Sequence, residues 1–167
     1  MGTSLAVKHI EPSGDKLVLG YVAEAVQQKN ILVAGMPAPD FAVMDTNGDT
    51  LRLADFRGRH LLLDFWYTSC SPCIRDTPTL VEIYRAQRES GLEIIGVSVD
   101  RKQQDVTDYV RKNGMEWLQV LETDNDTKLT EIYNIGGFPS YVWIGPEGRI
   151  ITPELKGDLD DLLDASL

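Results

Sequence analysis

Apolar positions along the chain fall into short runs of two periods. Residues 59–67, "RHLLLDFWY", are apolar at odd and even positions alike, which predicts a central strand covered on both faces. Residues 92–100, "LEIIGVSVD", repeat that pattern, and 116–122, "EWLQVLE", give a shorter strand. Between them the spacing turns helical. Ile74, Leu80, Val81, Ile83 and Tyr84 form an inward stripe from Pro72 to about Ser90, with a kink expected at Pro78 and an end at Gly91. Residues 102–114 predict a second helix, with Val106, Tyr109 and Val110 inward and Gly114 closing it. Residues 126–137 predict a third, capped by an Asp and stopped by paired glycines. Two hairpins are expected, one around Asn47-Gly48 and one through Pro-Glu-Gly at 146–148. "GMPAPDF" at 35–41 is extended, 158–167 reads as a final helix, and 16–30 as a strand running into a short helix. Strands alternating with helices imply an α/β fold: a central mixed sheet flanked by helices.

At 167 residues the chain suits one domain with a real core, and it shows no internal repeat or low-complexity tract. A net charge of −10 leaves no basic stripe to displace counterions, so no nucleic-acid partner is expected. No apolar run reaches the roughly 20 residues of a membrane span, and the N-terminus lacks a basic start and apolar core.

The candidate chemistry lies in "DFWYTSCSPC". The two cysteines of the chain, Cys70 and Cys73, stand three apart at the start of the first helix. Helix N-termini expose free N–H groups and the positive end of the dipole, which favour a thiolate. Cys70, at the cap, is therefore the expected exposed nucleophile, and Cys73, one turn in, the more buried resolving thiol. Pro72 suits a first turn, where its missing N–H costs nothing. Asp64 sits inside the apolar strand that feeds this helix, where a carboxylate is costly to bury and its pKa should rise. Two roles stay open for it: a base taking the proton of Cys73, or an acid satisfied by a backbone donor or water. Pro139, in "GGFPS", precedes a strand; a cis bond in a tight turn and an ordinary trans turn both fit. Beside the first, the Phe138 backbone would pair with an extended substrate peptide.

These residues resemble a known family. "DFWYTSCSPC" is similar to the thioredoxin signature. "PAPDF", "NGDTLRLADFRGRHLLLDFW" and "GGFPSYVWIGPEGRI" resemble the TlpA/ResA-like branch of extracytoplasmic thiol–disulfide oxidoreductases, over about residues 36 to 155. The resemblance implies a thioredoxin-like fold with an N-terminal β-hairpin and an inserted α/β element, its helix at 102–113. It implies a domain over 36–167 and an N-terminal extension over 1–35. It further implies Cys70 as nucleophile, Cys73 as resolving thiol, Pro139 as a cis-proline facing them, and Asp64 as the buried acid, six residues before the first cysteine. Phe138, Trp66, Ser69, Ser71 and Pro72 are the expected substrate-binding surface. Ser69 stands where the family usually has Trp, and Phe138 where smaller residues are common. An extracytoplasmic, periplasmic location follows from the resemblance alone, with a cytoplasmic one also open.

The expected function is thiol–disulfide exchange with a disulfide-containing protein substrate. The chain would act as a monomeric reductant with no cofactor beyond the Cys70–Cys73 disulfide, restored by an upstream thiol reductant. A peroxiredoxin-like thiol peroxidase is the nearest alternative, but such enzymes need a Thr three residues before the nucleophile, where Tyr67 stands. A copper(I) carrier is the other. It would use both thiolates, but Sco-like carriers space their cysteines differently and need a distant His; a closed zinc site lacks ligands, since His9 and His60 have no metal-ligand spacing to the pair.

Overall fold

The computed structural model describes residues 5–10, 17–21, 31–155 and 159. Two strands near the N-terminus, β1 (Leu5–Ile10) and β2 (Leu17–Tyr21), pair antiparallel with a bulge between Val7 and His9. The strand expected after residue 16 is thus present, and the sequence reading had no partner for it. The helix expected after it, and the one expected at 158–167, lie outside the described residues. Leu159 is described and is buried.

A second hairpin follows, β3 (Ala42–Met44) with β4 (Thr50–Arg52). Its loop is longer than a two-residue Asn-Gly turn because Asp45 organises it. The Asp45 carboxylate accepts the backbone N–H of Asn47 and of Asp49, both at 2.8 Å. The main sheet has five strands in the order β7-β6-β5-β8-β9. They are β5 (His60–Trp66), β6 (Leu92–Ser98), β7 (Leu118–Leu121), β8 (Ser140–Ile144) and β9 (Ile150–Leu155). β5, β6 and β7 are mutually parallel, while β8 is antiparallel to both β5 and β9. The sheet is mixed, as the alternation of elements implied.

Among the described residues three helices pack with it: α1 (Ser71–Gln87), α2 (Gln103–Asn113) and the short α3 (Leu129–Ile132). The strand period of two divides β5 between two cores. Leu61, Leu63 and Phe65 join Phe41, Val43 and Phe56 from the hairpin segment and Leu129 and Tyr133 from α3. Leu62 and Trp66 join Leu80, Val81 and Ile83 of α1, Val106 of α2, Trp117 and Leu159. All three leucines of β5 are at most 1% exposed, and each such burial stabilises the fold by about 2 kcal/mol.

α1 is one continuous helix with Pro78 inside it, and it runs on through a 3₁₀ turn to Gly91. α3 departs from the expected 126–137. It is a single turn with no side-chain cap, and neither glycine ends it. Glu122, outside the helix, takes over the first turn by accepting from Thr130 N and Oγ1 at 2.7 and 2.8 Å. Asn134, at φ 52, makes the left-handed turn that the paired glycines were expected to supply. In the β8–β9 turn the positive φ of 69 favours glycine at 148, and the Arg57 guanidinium occupies the space a Cβ would take.

Asn125 ties the β3–β4 hairpin to the sheet. Its amide accepts from Met44 N at 2.6 Å and donates to the carbonyls of Met44 and Leu121 at 3.0 and 3.1 Å. Asn125→Ala strands buried backbone groups on both elements, so it should destabilise the fold by about 2–3 kcal/mol, read as a lower denaturation midpoint.

Candidate functional site

The site forms where β5 ends and α1 begins. Strand β5 delivers the chain at Trp66, and a loop of residues 67–69 turns it into the helix. Asp100 pins that loop. Its carboxylate accepts Thr68 N at 2.9 Å, Thr68 Oγ1 at 2.8 Å and Ser98 Oγ at 2.8 Å. Cys70 is the N-cap of α1, and its Sγ accepts the Cys73 N–H at 3.3 Å. Cys70 and Cys73 are joined as a disulfide with an S–S distance of 2.08 Å.

The sulfurs are less open than the sequence suggested. Cys70 is 2% exposed and Cys73 4%, so the expectation of an exposed Cys70 and a more buried Cys73 is corrected. Both belong to the core cluster that contains Trp66, Leu80 and Val81, with Tyr67 and Phe138 packed against it. The Tyr67 and Phe138 rings meet edge-to-face, 5.5 Å between centroids. The position three residues before Cys70 thus carries a packed aromatic ring and no short hydroxyl side chain.

Trp66 does not contribute surface either. It is 2% exposed, and its ring lies 5.2 Å from that of Tyr109 in the layer between sheet and helices. Ser69 and Ser71 are exposed, and Pro72, Phe138 and Pro139 half-buried. Ile74, expected in the inward stripe of α1, is instead 44% exposed one residue beyond Cys73. The Phe138–Pro139 peptide is cis. Because Ser140 pairs with Phe65, Pro139 falls beside the end of β5, next in register to Trp66.

Asp64 is 2% exposed, and its Oδ1 has no hydrogen-bond partner. It shares the sheet face of Leu62 and Trp66, the face against which α1 and both cysteines pack. Burial, and next the charge of Asp76, push its pKa up to about 8. Asp76 lies one turn beyond Cys73 on α1 and accepts the Tyr141 hydroxyl at 3.0 Å. Tyr141 pairs with Asp64 in the sheet. Burial, then Asp64 and Asp76, hold the Tyr141 hydroxyl protonated far above its usual range. Sequence reasoning missed Asp76, Tyr141, Asp100 and Ile74. A helical wheel anchored on Cys73 would have found Asp76, one turn away; the others depend on sheet register and loop path.

Among the described residues, no group of three or more His, Cys, Asp or Glu is placed to hold a metal ion, and no helix is long and apolar enough to cross a membrane.

A redox-active Cys-x-x-C disulfide opening a helix beside a mixed five-stranded sheet defines a thiol–disulfide oxidoreductase of thioredoxin-like fold. Comparisons with known proteins agree. Residues 34–152 match the model of the AhpC/TSA family. The thiol-disulfide oxidoreductase ResA of Bacillus subtilis is 31% identical over 123 residues, 74% of this chain and 68% of its own length. The thioredoxin domain of a thiol-disulfide oxidoreductase from Bacteroides vulgatus superposes with a TM-score of 0.70 at 38% identity, over 80% of this chain and 94% of that one. A thiol:disulfide interchange protein from a Bacteroides species gives 0.70 at 34% identity, over 80% and 88%. The chain belongs to the AhpC/TSA family and, within it, to the TlpA/ResA-like thiol–disulfide oxidoreductases. It catalyses thiol–disulfide exchange.

Because Asp64 keeps its proton in the fold up to about pH 8 while the unfolded chain releases it near 3.8, stability falls as pH rises between those values. Asp64→Asn removes that loss. The variant should match the parent near pH 4 and exceed it by about 6 kcal/mol well above pH 8, measured by denaturant unfolding across pH.

Proposed function

We propose that this chain reduces disulfides of extracytoplasmic proteins, with Cys70 as nucleophile, Cys73 as resolving thiol and Asp64 as the base. The Cys70 thiolate attacks one sulfur of the partner's disulfide. A Cys70–partner bond forms, and the partner's other sulfur leaves as a thiolate. Asp64 then takes the Cys73 proton, and the Cys73 thiolate attacks Cys70 Sγ. That closes the Cys70–Cys73 disulfide and releases the partner's second thiol. Two electrons have passed to the partner, and an upstream thiol reductant returns them.

The observation that carries the base role is a buried carboxyl whose Oδ1 has no partner, on the sheet face that packs against both cysteines. With its pKa near 8, close to the ordinary thiol value of about 8.5, proton transfer between the two groups is nearly isoenergetic. The partner surface combines exposed Ser69, Ser71 and Ile74 with half-buried Pro72 and Phe138. A peptide lying beside the cis Phe138–Pro139 turn would pair with the Phe138 backbone. The reducing direction and the extracytoplasmic location rest on membership of the TlpA/ResA-like branch.

Cys73→Ser should accumulate a covalent Cys70–partner complex, visible on non-reducing gels and released by dithiothreitol; no such complex would overturn the assignment of the two sulfurs. Resolution of the mixed disulfide should accelerate with pH up to about 8. Asp64→Asn should lose that limb and resolve about 100-fold more slowly, with the first attack unchanged. A redox titration midpoint near the roughly −270 mV of reductants supports the direction, and one near about −120 mV reverses it.

A further inference from the structure

The row of the sheet that carries Asp64 crosses four strands. Tyr141 of β8 pairs with Asp64, Asp64 with Gly96 of β6, and Gly96 with Gln119 of β7. Residues in register on adjacent strands project to the same face, so all four positions share the face that packs against α1 and α2. Gly96 brings no side chain to the row. The Gln119 amide fills that place: a Cβ built on Gly96 would stand 2.2 Å from its Oε1, 2.8 Å from its Cδ and 2.9 Å from its Nε2. The amide therefore lies one strand spacing, about 4.8 Å, from the Asp64 position.

Gln119 is 5% exposed, and neither its Oε1 nor its Nε2 has a hydrogen-bond partner. Asp64 Oδ1 lacks one as well. Three orphaned polar atoms meeting in one apolar layer would each cost about 1–3 kcal/mol if left alone. One bridging water that accepts from Gln119 Nε2 and donates to its Oε1 and to Asp64 Oδ1 would relieve all three. On its other side Gln119 lines a cavity of about 300 Å³ at the β7 edge, walled by Val106, Val110 and Trp117, with Arg111 and Glu116 also on its lining.

We propose that Gln119 is the positioning residue of Asp64: its amide, filling the gap at Gly96, steadies the ionised carboxylate. The proposal rests on the role of Asp64 given above. The ionisable groups around Asp64 are Asp76 and the two cysteines from α1 and Tyr141 from β8, with Tyr109 of α2 in the same layer; β6 contributes only Gly96 to the row.

The test is a carbon-13 NMR titration of the Asp64 carboxyl in the oxidised protein, its signal assigned by loss in Asp64→Asn. Gln119→Met removes the amide at similar volume, so the Asp64 midpoint should rise by about one pH unit, a tenfold gain in proton affinity. Asp76→Asn removes a like charge and should move it down. Water entering a loosened fold would also move it down, so the upward shift separates lost solvation from lost packing. An unchanged or lowered midpoint in Gln119→Met overturns the proposal. In the parent protein, which needs no variant to fold, the Gln119 Nε2 resonance should titrate with the Asp64 midpoint, and a resonance blind to that titration overturns it equally. If the midpoint rises in Gln119→Met while resolution of the Cys70 mixed disulfide keeps its rate and pH profile, the link to Asp64 stands and the base role of Asp64 falls.

Discussion

The structure turns on one constraint: the strand that must be dry on both faces also carries a carboxyl group. β5 sits at the centre of the sheet, with β6 on one side and β8 on the other, and its neighbours in sequence, Leu63 and Phe65, are fully buried. Burial in that position disfavours an ionised Asp64, so the proton stays on until unusually high pH. The cost is borne by stability, which falls as pH rises toward the Asp64 midpoint. Strand, helix and loop converge on the same end of the sheet, and the disulfide closes there.

Burial of the disulfide and reactivity of Cys70 are compatible once the surroundings are considered. The sulfurs are covered mainly by side chains, Trp66 below and the Tyr67–Phe138 pair near by, while the backbone around them is exposed at Ser69, Ser71, Gly136 and Gly137. The same loop is held from beneath by Asp100, which engages Thr68 through backbone and side chain. The loop so held fixes where the chain enters α1 at Cys70. Electrostatic help for the thiolate comes from the helix end, where the Cys73 N–H already points at Cys70 Sγ.

Local chemistry was legible in the sequence; registration across strands was not. A Cys-x-x-C at a predicted helix start, Pro72 in the first turn and an acid six residues upstream on a strand are contacts along the chain, and periodicity alone places them. The mixed sheet and the helix closed by Gly114 followed from the same periods. Ile74 was misread because a stripe counted from Pro72 includes the first turn, which in the structure lies at the protein surface beside the disulfide. Trp66 was misread because an aromatic next to a reactive site suggests a binding platform, whereas its place in the strand period sends it inward with Leu62. Tyr141 and Gln119 were invisible for a different reason: each joins the row of Asp64 only through strand pairing between segments far apart in sequence.

The two faces of the sheet divide the work. Toward the β3–β4 hairpin and α3, the core is closed by aliphatic and aromatic packing, and Tyr133, its largest polar side chain, donates its hydroxyl to the Pro39 carbonyl at 2.7 Å. Toward α1 and α2, polar atoms without partners gather: Asp64 Oδ1, the Gln119 amide, Trp66 Nε1 and Trp117 Nε1. A fold selected for stability alone would exchange such groups for apolar ones of the same shape, at no loss. Among the described residues these atoms concentrate on the face that holds both cysteines, the pattern expected where a fold gives up stability for function.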